Sequence, residues 1–488
     1  MPSSDRTYAP ARGTGVADPD LLRRALDVLC DPSLAHVVDL VAYADGDEIE
    51  VANSAGRSRW RRDTLEVSLV EGRDPVANQD ALAFTPLEAE RPHLTNAEHH
   101  YPFARERLTD LLGDRRAPDI AVVHTAAHHW PERGGHLGEH GSLNAVQSRA
   151  PLMLSGAGVR ARGVLPRTAR VRDVGPALAR LAGSTMRASD LDDLAEPGAR
   201  HVVGLLWDGV NANDVLYLAQ TGELPAVARL LADGCALQGG AIAEFPSITL
   251  TNHTSALTGL GPGGHGILNN TFYDRYADRQ VVANDSSTWH VACDELSPGV
   301  ETVFEVLART REGVVTACVN EPVDRGAAYT TFGLVRAQHT GDGAKGMTGQ
   351  LPDPKDDPLA SADYLASKDY HWGSAVDGMG LAQVRQLWSS ASRPDFMWWN
   401  TTLTDAAHHE GGPHSEVARA SLRDADTRLG AFLELLDSLG AYDDTAFLLT
   451  SDHGSEAADP DCRGDWDGAL RAAGIPFRDE AYGFLYLG

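Results

Sequence analysis

The apolar residues of this chain fall into two alternating patterns. Short uninterrupted runs, at Asp119–Val123 (DIAVV), Pro151–Leu154 (PLML), Val202–Leu206 (VVGLL), Phe396–Trp399 (FMWW) and Ala446–Thr450 (AFLLT), read as strands covered on both faces. A further strand is predicted at Gly313–Val319. Between these runs the apolar positions recur at helical spacing: near Leu21–Leu29, Ala104–Leu112, Gly175–Leu181, Asn213–Gln220 and Pro225–Ala232, after Thr249, and along Ser415–Leu439. Strands alternating with helices predict βαβ units and a mainly parallel sheet.

Polar stretches punctuate this rhythm. Residues 1–19 read as a frayed tail. Residues 184–200 (STMRASDLDDLAEPGAR) are acidic and contain Pro and Gly, the composition of a linker. They divide the chain into 20–183 and 201–488. Thr330–Asp377, rich in Gly, Asp and Pro, reads as loops or a small cap inserted into the second part, about 330–388 at its widest.

Composition narrows the class. The chain has 488 residues, 42% hydrophobic and only 23% charged, which is a core-forming protein. Its 42 Lys+Arg against 69 Asp+Glu leave a net charge of −27, with no basic run. That excludes a protein that tracks the phosphates of a nucleic-acid duplex. It does not exclude a small anionic substrate, because bound cations would reverse the local field. Cys30, Cys235, Cys293, Cys318 and Cys462 are scattered, without the spacing of a disulfide framework or a zinc ribbon. No secretory h-region opens the chain and no apolar run reaches membrane-spanning length. The expectation is a cytoplasmic protein with no membrane partner, its oligomeric state left open.

Four signals lie just past the carboxyl ends of predicted strands, where parallel sheets present functional groups. In HVVGLLWDGV an apolar run ends in Asp208, followed by Gly209; taken alone, this reads first as a turn or capping Asp. FPSITLTNHTSALTG, followed by GPGGHGILNN, sets Thr249 at a helix start. Backbone N–H groups and the helix dipole there favour an alkoxide or a bound phosphate; a plain N-cap is the bland alternative. TLTDAAHHEGGPHS holds Asp405 and, four residues on, His409, with His408 beside it, a spacing that suits a divalent metal. FLLTSDHGSE delivers Asp452 and His453 side by side.

In this order the four motifs resemble the alkaline phosphatase superfamily, most closely its type I phosphodiesterase/nucleotide pyrophosphatase branch. The resemblance runs from about His201 to Gly454 and is strongest over Phe245–Asp274 and Leu403–Pro413. It implies an α/β fold, a three-layer αβα core around a mainly parallel sheet. It implies two divalent ions, Zn2+ by the family's habit, with Mn2+ as the alternative. By resemblance, Asp208, Thr249, Asp452 and His453 hold the ion that activates the Thr249 nucleophile, and Asp405 and His409 supply two of three ligands to the other. Asn270 matches the Asn that contacts a phosphate oxygen. The implied reaction is hydrolysis of a phosphodiester or pyrophosphate in a small phosphorylated substrate through a phosphothreonine, with the Thr249-end N–H groups also holding phosphate oxygens.

One ligand of the pattern, a His after the D-H-G motif, has no counterpart beyond His453. Residues 118–183 carry GEHGSLNAVQSRAPLMLSGAG and RDVGPALARLAG, which resemble the superfamily's C-terminal part. His140 then supplies the third ligand, and the order reads as a circular permutation, acceptable where original termini lie close on the surface. His124, His128, His129 and His136 are alternatives in the same stretch. His99, His100, His253, His265 and His414 read as structural. A neutral Asn at the phosphate position, with no Arg over Pro246–Tyr273, favours diesters over dianionic monoesters. The rival readings are a phosphonoacetate-type C–P hydrolase, a phosphomonoesterase, and a non-catalytic metal-stabilised binding module. Lysines that would favour the phosphonate reading are confined to Lys345, Lys355 and Lys368.

Overall fold

A strand that is apolar throughout needs cover on both sides, and the predicted runs have it. The computed structural model describes residues 18–83, 94–131, 134–337 and 351–488. The expected tail before residue 18, Lys345 and the middle of the expected insertion (338–350) lie outside them. Eight strands form the main sheet: Leu152–Gly156 (β1), Gly163–Leu165 (β2), His201–Trp207 (β3), Gly234–Leu237 (β4), Thr316–Val319 (β5), Tyr329–Thr330 (β6), Phe396–Thr401 (β7) and Thr445–Thr450 (β8). Their spatial order is β6-β5-β7-β3-β8-β1-β4-β2. Every neighbouring pair is parallel except that β1 runs antiparallel to both β8 and β4.

Alternate residues of these strands feed two separate cores. Val202 and Leu206 of β3, with Phe396 and Trp398 of β7, pack against Val174–Leu181 (α1), Thr249–Thr258 (α2) and the helix Val303–Thr310. Val203, Leu205 and Trp207, with Met397 and Trp399, pack against the helices Ala212–Thr221 and Pro225–Ala232, against Lys368–Trp388 (α3), and against Glu416–Ser438 (α5). Between α3 and α5 runs a shorter helix, Leu403–Gly411 (α4). The result is the three-layer αβα core with a mainly parallel sheet that the strand pattern predicts.

Three features differ from the sequence reading. First, Ile120–His124 belongs to a second, wholly antiparallel sheet of seven strands. Its order is Phe477–Glu480, Phe484–Leu487, Ile120–His124, Val38–Asp45, Glu48–Asn53, Gly56–Arg61, Val67–Gly72. The signal was local: Asp45-Gly46 opens a two-residue hairpin loop, with Asp45 paired to Glu48 and Gly46 at φ +57°. Second, the stretch expected to be a linker is packed down. Leu191, Leu194 and Ala195 are fully buried in the first core, and Ala195 bridges to Val159. Third, the last part of the expected insertion is α3, a 21-residue helix on the sheet. Its glycines disguised it. A Cβ at Gly373 would stand 2.9 Å from Leu403 Cα, and one at Gly380 2.4 Å from Asn320 Nδ2, so close packing requires glycine where helix propensity disfavours it. Among the described residues no helix is long and apolar enough to cross a membrane.

Candidate active site

The three central strands are in register at their carboxyl ends. Trp207 of β3 pairs with Thr401 of β7, and Leu206 pairs with Thr450 of β8. The next residues therefore emerge at one edge: Asp208 from β3, α4 from β7, and Asp452-His453 from β8. Gly209 takes φ +71°, and a Cβ there would lie 2.5 Å from Asp405 Oδ1, so glycine lets the Asp405 carboxylate close on the Asp208 turn. The Gly209 N–H donates to Asp452 Oδ1 at 3.1 Å, and Thr404 Oγ1 donates to Asp208 O at 2.6 Å. Asp377 of α3 accepts from the N–H groups of Thr402 and Leu403, at 2.8 and 3.3 Å, and so fixes the start of α4. Asp405 and His409, four residues apart on α4, share a face, with His409 Nε2 3.4 Å from Asp405 Oδ2.

His140 arrives from the other end of the chain. Its ring stacks on His453 with centroids 3.8 Å apart, and its Nε2 lies 3.2 Å from His409 Nε2. The tautomers follow from the far side of each ring. His140 Nδ1 is 3.1 Å from Ser247 O, His409 Nδ1 is 2.7 Å from Gly138 O, and His453 Nδ1 is 3.0 Å from Gly454 O. A carbonyl only accepts, so each Nδ1 carries a proton and turns its Nε2 towards the carboxylates and the other rings. Two Nε2 atoms at 3.2 Å need a positive charge between them, either a proton on His409, which Asp405 raises to about 10 against burial, or a metal ion.

The carboxylates point the same way. His453 Nε2 stands 3.0 Å from Asp452 Oδ2, yet neither atom is in a hydrogen bond; Asp208 Oδ1 and Asp405 Oδ1 are likewise buried without one. Burial, reinforced by Asp452 and Asp405, pushes the Asp208 carboxyl up to about 8. Burial alone would also raise Asp405 and Asp452. Instead His409 holds the first below the carboxylate range, and His453 and His253 hold the second far below it. Burial, together with His453 and His409, drives His140 well below the usual imidazole value. Convergent buried carboxylates and imidazoles are the donor set of a divalent cation, which would take the place of the protons that the carboxylates otherwise hold on these rings. Among the described residues three groups bring such atoms within 4.8 Å: His140, Asp405 and His453; Asp208, His253 and Asp452; and His136, Glu139 and His409.

Thr249 is the first residue of α2 and lines a cavity together with Asp208 and His253. Asn270 Oδ1 accepts from the Leu250 N–H at 3.1 Å, which sets the amide against the same helix start. That N–H is therefore engaged, unlike the free N–H expected at this helix end. Ser247, two residues before Thr249, hydrogen-bonds to Ser142 O and accepts from His140. The Thr249 turn and the His140 segment thus hold each other.

Sequence reasoning passed over His253. It is fully buried, with Nε2 3.6 Å from both Asp208 Oδ2 and Asp452 Oδ2 and Nδ1 2.8 Å from Glu321 Oε2. Glu321 is itself fixed by Trp398 Nε1 at 3.0 Å and the Val323 N–H at 2.9 Å. The available signal was spacing, since His253 lies one helical turn beyond Thr249. Of the alternatives to His140, His136 tilts against His409 at 4.1 Å, His124 contacts His140 O, and His128 stacks on Trp130. His408 turns away, its Nδ1 on Thr404 O. His265 meets Ser255, and His414 lies 3.8 Å from Asp214.

A profile of the type I phosphodiesterase / nucleotide pyrophosphatase family matches residues 202–484. An uncharacterized pyrophosphatase/phosphodiesterase of Schizosaccharomyces pombe is 37% identical over 93 residues, 18% of each chain. A venom phosphodiesterase of Naja atra is 24% identical over 217 residues, 44% of this chain and 22% of that protein. The chain thus spans about a fifth of the length of these curated relatives. Among solved structures, murine ectonucleotide pyrophosphatase/phosphodiesterase 5 in complex with AMP aligns at TM-score 0.33 and 15% identity, covering 52% of this chain and 57% of that one. Phosphonoacetate hydrolase from Sinorhizobium meliloti aligns at TM-score 0.34 and 23% identity, covering 54% and 58%.

Proposed function

Because the chain belongs to the type I phosphodiesterase / nucleotide pyrophosphatase family, we propose that it hydrolyses phosphodiester or pyrophosphate bonds at a two-cation site with Thr249 as nucleophile. The observation that carries this reading is the face-to-face pair of His140 and His409 Nε2 atoms, each with its Nδ1 committed to a backbone carbonyl. Asp405, His409 and His140 would hold one ion. Asp208, Asp452 and His453, with Thr249, would hold the other. His453 Nε2 lies 3.0 Å from Asp452 Oδ2 and 3.9 Å from Asp208 Oδ1, while also grouping with His140 and Asp405. His253 stands beside Asp208 and Asp452 as a further donor. Divalent ions there supply Lewis-acid charge, which acidifies a hydroxyl and stabilises oxyanions; Zn2+ suits this donor set and Mn2+ is the alternative.

The chain's own residues do the rest. Thr249 presents its hydroxyl at the helix start. Its Oγ1 bonds to phosphorus as the P–O bond to the leaving alcohol or phosphate breaks, and the hydroxyl proton departs with that group. Water then cleaves the Oγ1–P bond, releasing the phosphate and restoring the hydroxyl. Asn270, its carbonyl engaged by Leu250, offers its NH2 to a non-bridging phosphate oxygen. The same arrangement supports the proposed permutation: β1, α1 and His140, all before residue 184, would serve the site that residues 201–488 otherwise build. The phosphonate reading lacks support at the cavity beside Thr249, since no lysine is among its described lining residues.

The test is turnover of bis-p-nitrophenyl phosphate by the zinc- or manganese-loaded chain. Thr249→Ala should lose at least about a thousandfold in kcat with an unchanged circular dichroism spectrum. Activity within a few-fold of the parent would remove Thr249 from the scheme.

A further inference from the structure

We propose that the cavity beside Thr249 receives a compact amine-bearing ester group on the substrate phosphate, such as 2-aminoethyl, and rejects anionic and bulky groups. This rests on the hydrolase reading above. The cavity is small, about 70 Å³, far below the several hundred Å³ that a drug-sized ligand needs. Trp289, Phe332 and Trp372 form its aromatic wall, with Trp289 and Trp372 centred 6.1 Å apart at 35° and Trp289 and Phe332 6.1 Å apart at 68°. Trp289 is held in place by its Nε1 donating to Asn284 Oδ1 at 2.6 Å.

Two amides of the lining share an orientation. Asn320 and Asn400 are buried, and each turns its NH2 to a backbone carbonyl: Asn320 Nδ2 donates to Val376 O at 3.2 Å, and Asn400 Nδ2 to Asn320 O at 3.1 Å. Both Oδ1 atoms are buried without a donor. Native proteins seldom leave such buried acceptors unmet, because each gives up its water without gaining a donor. Carbonyl oxygens and aromatic faces both present negative potential, so the complementary ligand carries N–H donors and positive charge. Among the described residues lining the cavity none is Lys or Arg, and a carboxylate placed there would face these same unmet acceptors.

The experiment compares the metal-loaded full chain on p-nitrophenyl phosphodiesters whose second ester group is 2-aminoethyl, ethyl or carboxymethyl. The 2-aminoethyl ester should exceed the other two in kcat/KM by about tenfold or more; equal or lower values would overturn the proposal. In Asn400→Leu and in Trp372→Leu the aminoethyl-to-ethyl ratio should fall towards one, and a ratio unchanged in both variants would also overturn it. Titration calorimetry with 2-aminoethyl methyl phosphate and ethyl methyl phosphate reads the same selectivity without turnover. A tenfold tighter aminoethyl ester sustains the proposal even if bis-p-nitrophenyl phosphate is not hydrolysed, an outcome that would sink the hydrolase reading alone. Equal binding sinks the cavity proposal.

Discussion

At the scale of single residues, one device recurs. His140, His409 and His453 each place Nδ1 on a main-chain carbonyl, which leaves Nε2 to face the other ligand atoms. If these nitrogens hold cations, His140→Ala should reduce the divalent metal retained after dialysis from about two ions per chain to about one. An unchanged metal content by elemental analysis would separate His140 from the site. A second buried device is ionic. Glu244 is fully buried between Arg170 and Arg172, with Arg172 Nε 2.7 Å from Glu244 Oε1. Burial would raise its carboxyl, but the two guanidiniums bring it down to about 2 from an ordinary 4.5. A depressed carboxylate stabilises the fold above its unfolded value, and loses that contribution as pH falls through the folded one. Glu244→Gln should therefore cost about 3–5 kcal/mol at pH 7 by urea denaturation. The gap to the parent should narrow only below about pH 4.5 and close near pH 2; a gap that stays constant over that range would deny the pairing its role.

At the scale of elements, the regions that read as connectors turn out to be scaffold. Residues 184–200 look like a tether because Asp, Ser, Pro and Gly dominate their composition, but Leu191 and Leu194 are both fully buried. Leu194→Ala should cost about 2–5 kcal/mol, as a core truncation does. A loss below about half a kcal/mol in thermal or urea unfolding would restore the tether reading. Helix α3 does more than cover the sheet. Its Asp377 carboxylate caps α4, the helix that carries Asp405 and His409. No spacing rule links residues 377 and 402, so this support was invisible before the fold was known. The long helix α5 and the strands β3, β7 and β8, by contrast, were legible within a residue or two, because a strong apolar period carries its own signal.

At the scale of the whole molecule, the two ends of the chain are interleaved. β1 lies between β8 and β4 in the main sheet, and Phe484–Leu487 pairs with Ile120–His124 in the second. Residues 201–488 alone would leave the β8 edge open and strip the hairpin of Phe477–Glu480 and Phe484–Leu487 of its neighbour Ile120–His124, and exposed edges of that kind aggregate. Expressed alone, that fragment should be insoluble, and co-expression with residues 1–200 should recover a soluble complex. A soluble fragment with cooperative unfolding of its own would mean that the first 200 residues are an accessory.

The sequence by itself determined on which kind of element each candidate residue sits. Local patterns specify that much: apolar runs make covered strands, and a strand's end presents the polar residue that follows it. Asp208, Thr249, Asp405, His409, Asp452 and His453 were all readable in this way. Tertiary structure alone decided what meets what. His253 gained its neighbours because α2 packs its first turn towards the ends of β3 and β8, and Glu321 because β5 stops beside it. His140 faces His409 from 269 residues away. Such approaches depend on the order of strands in a sheet and on the packing of helices across it, and a one-dimensional pattern contains neither.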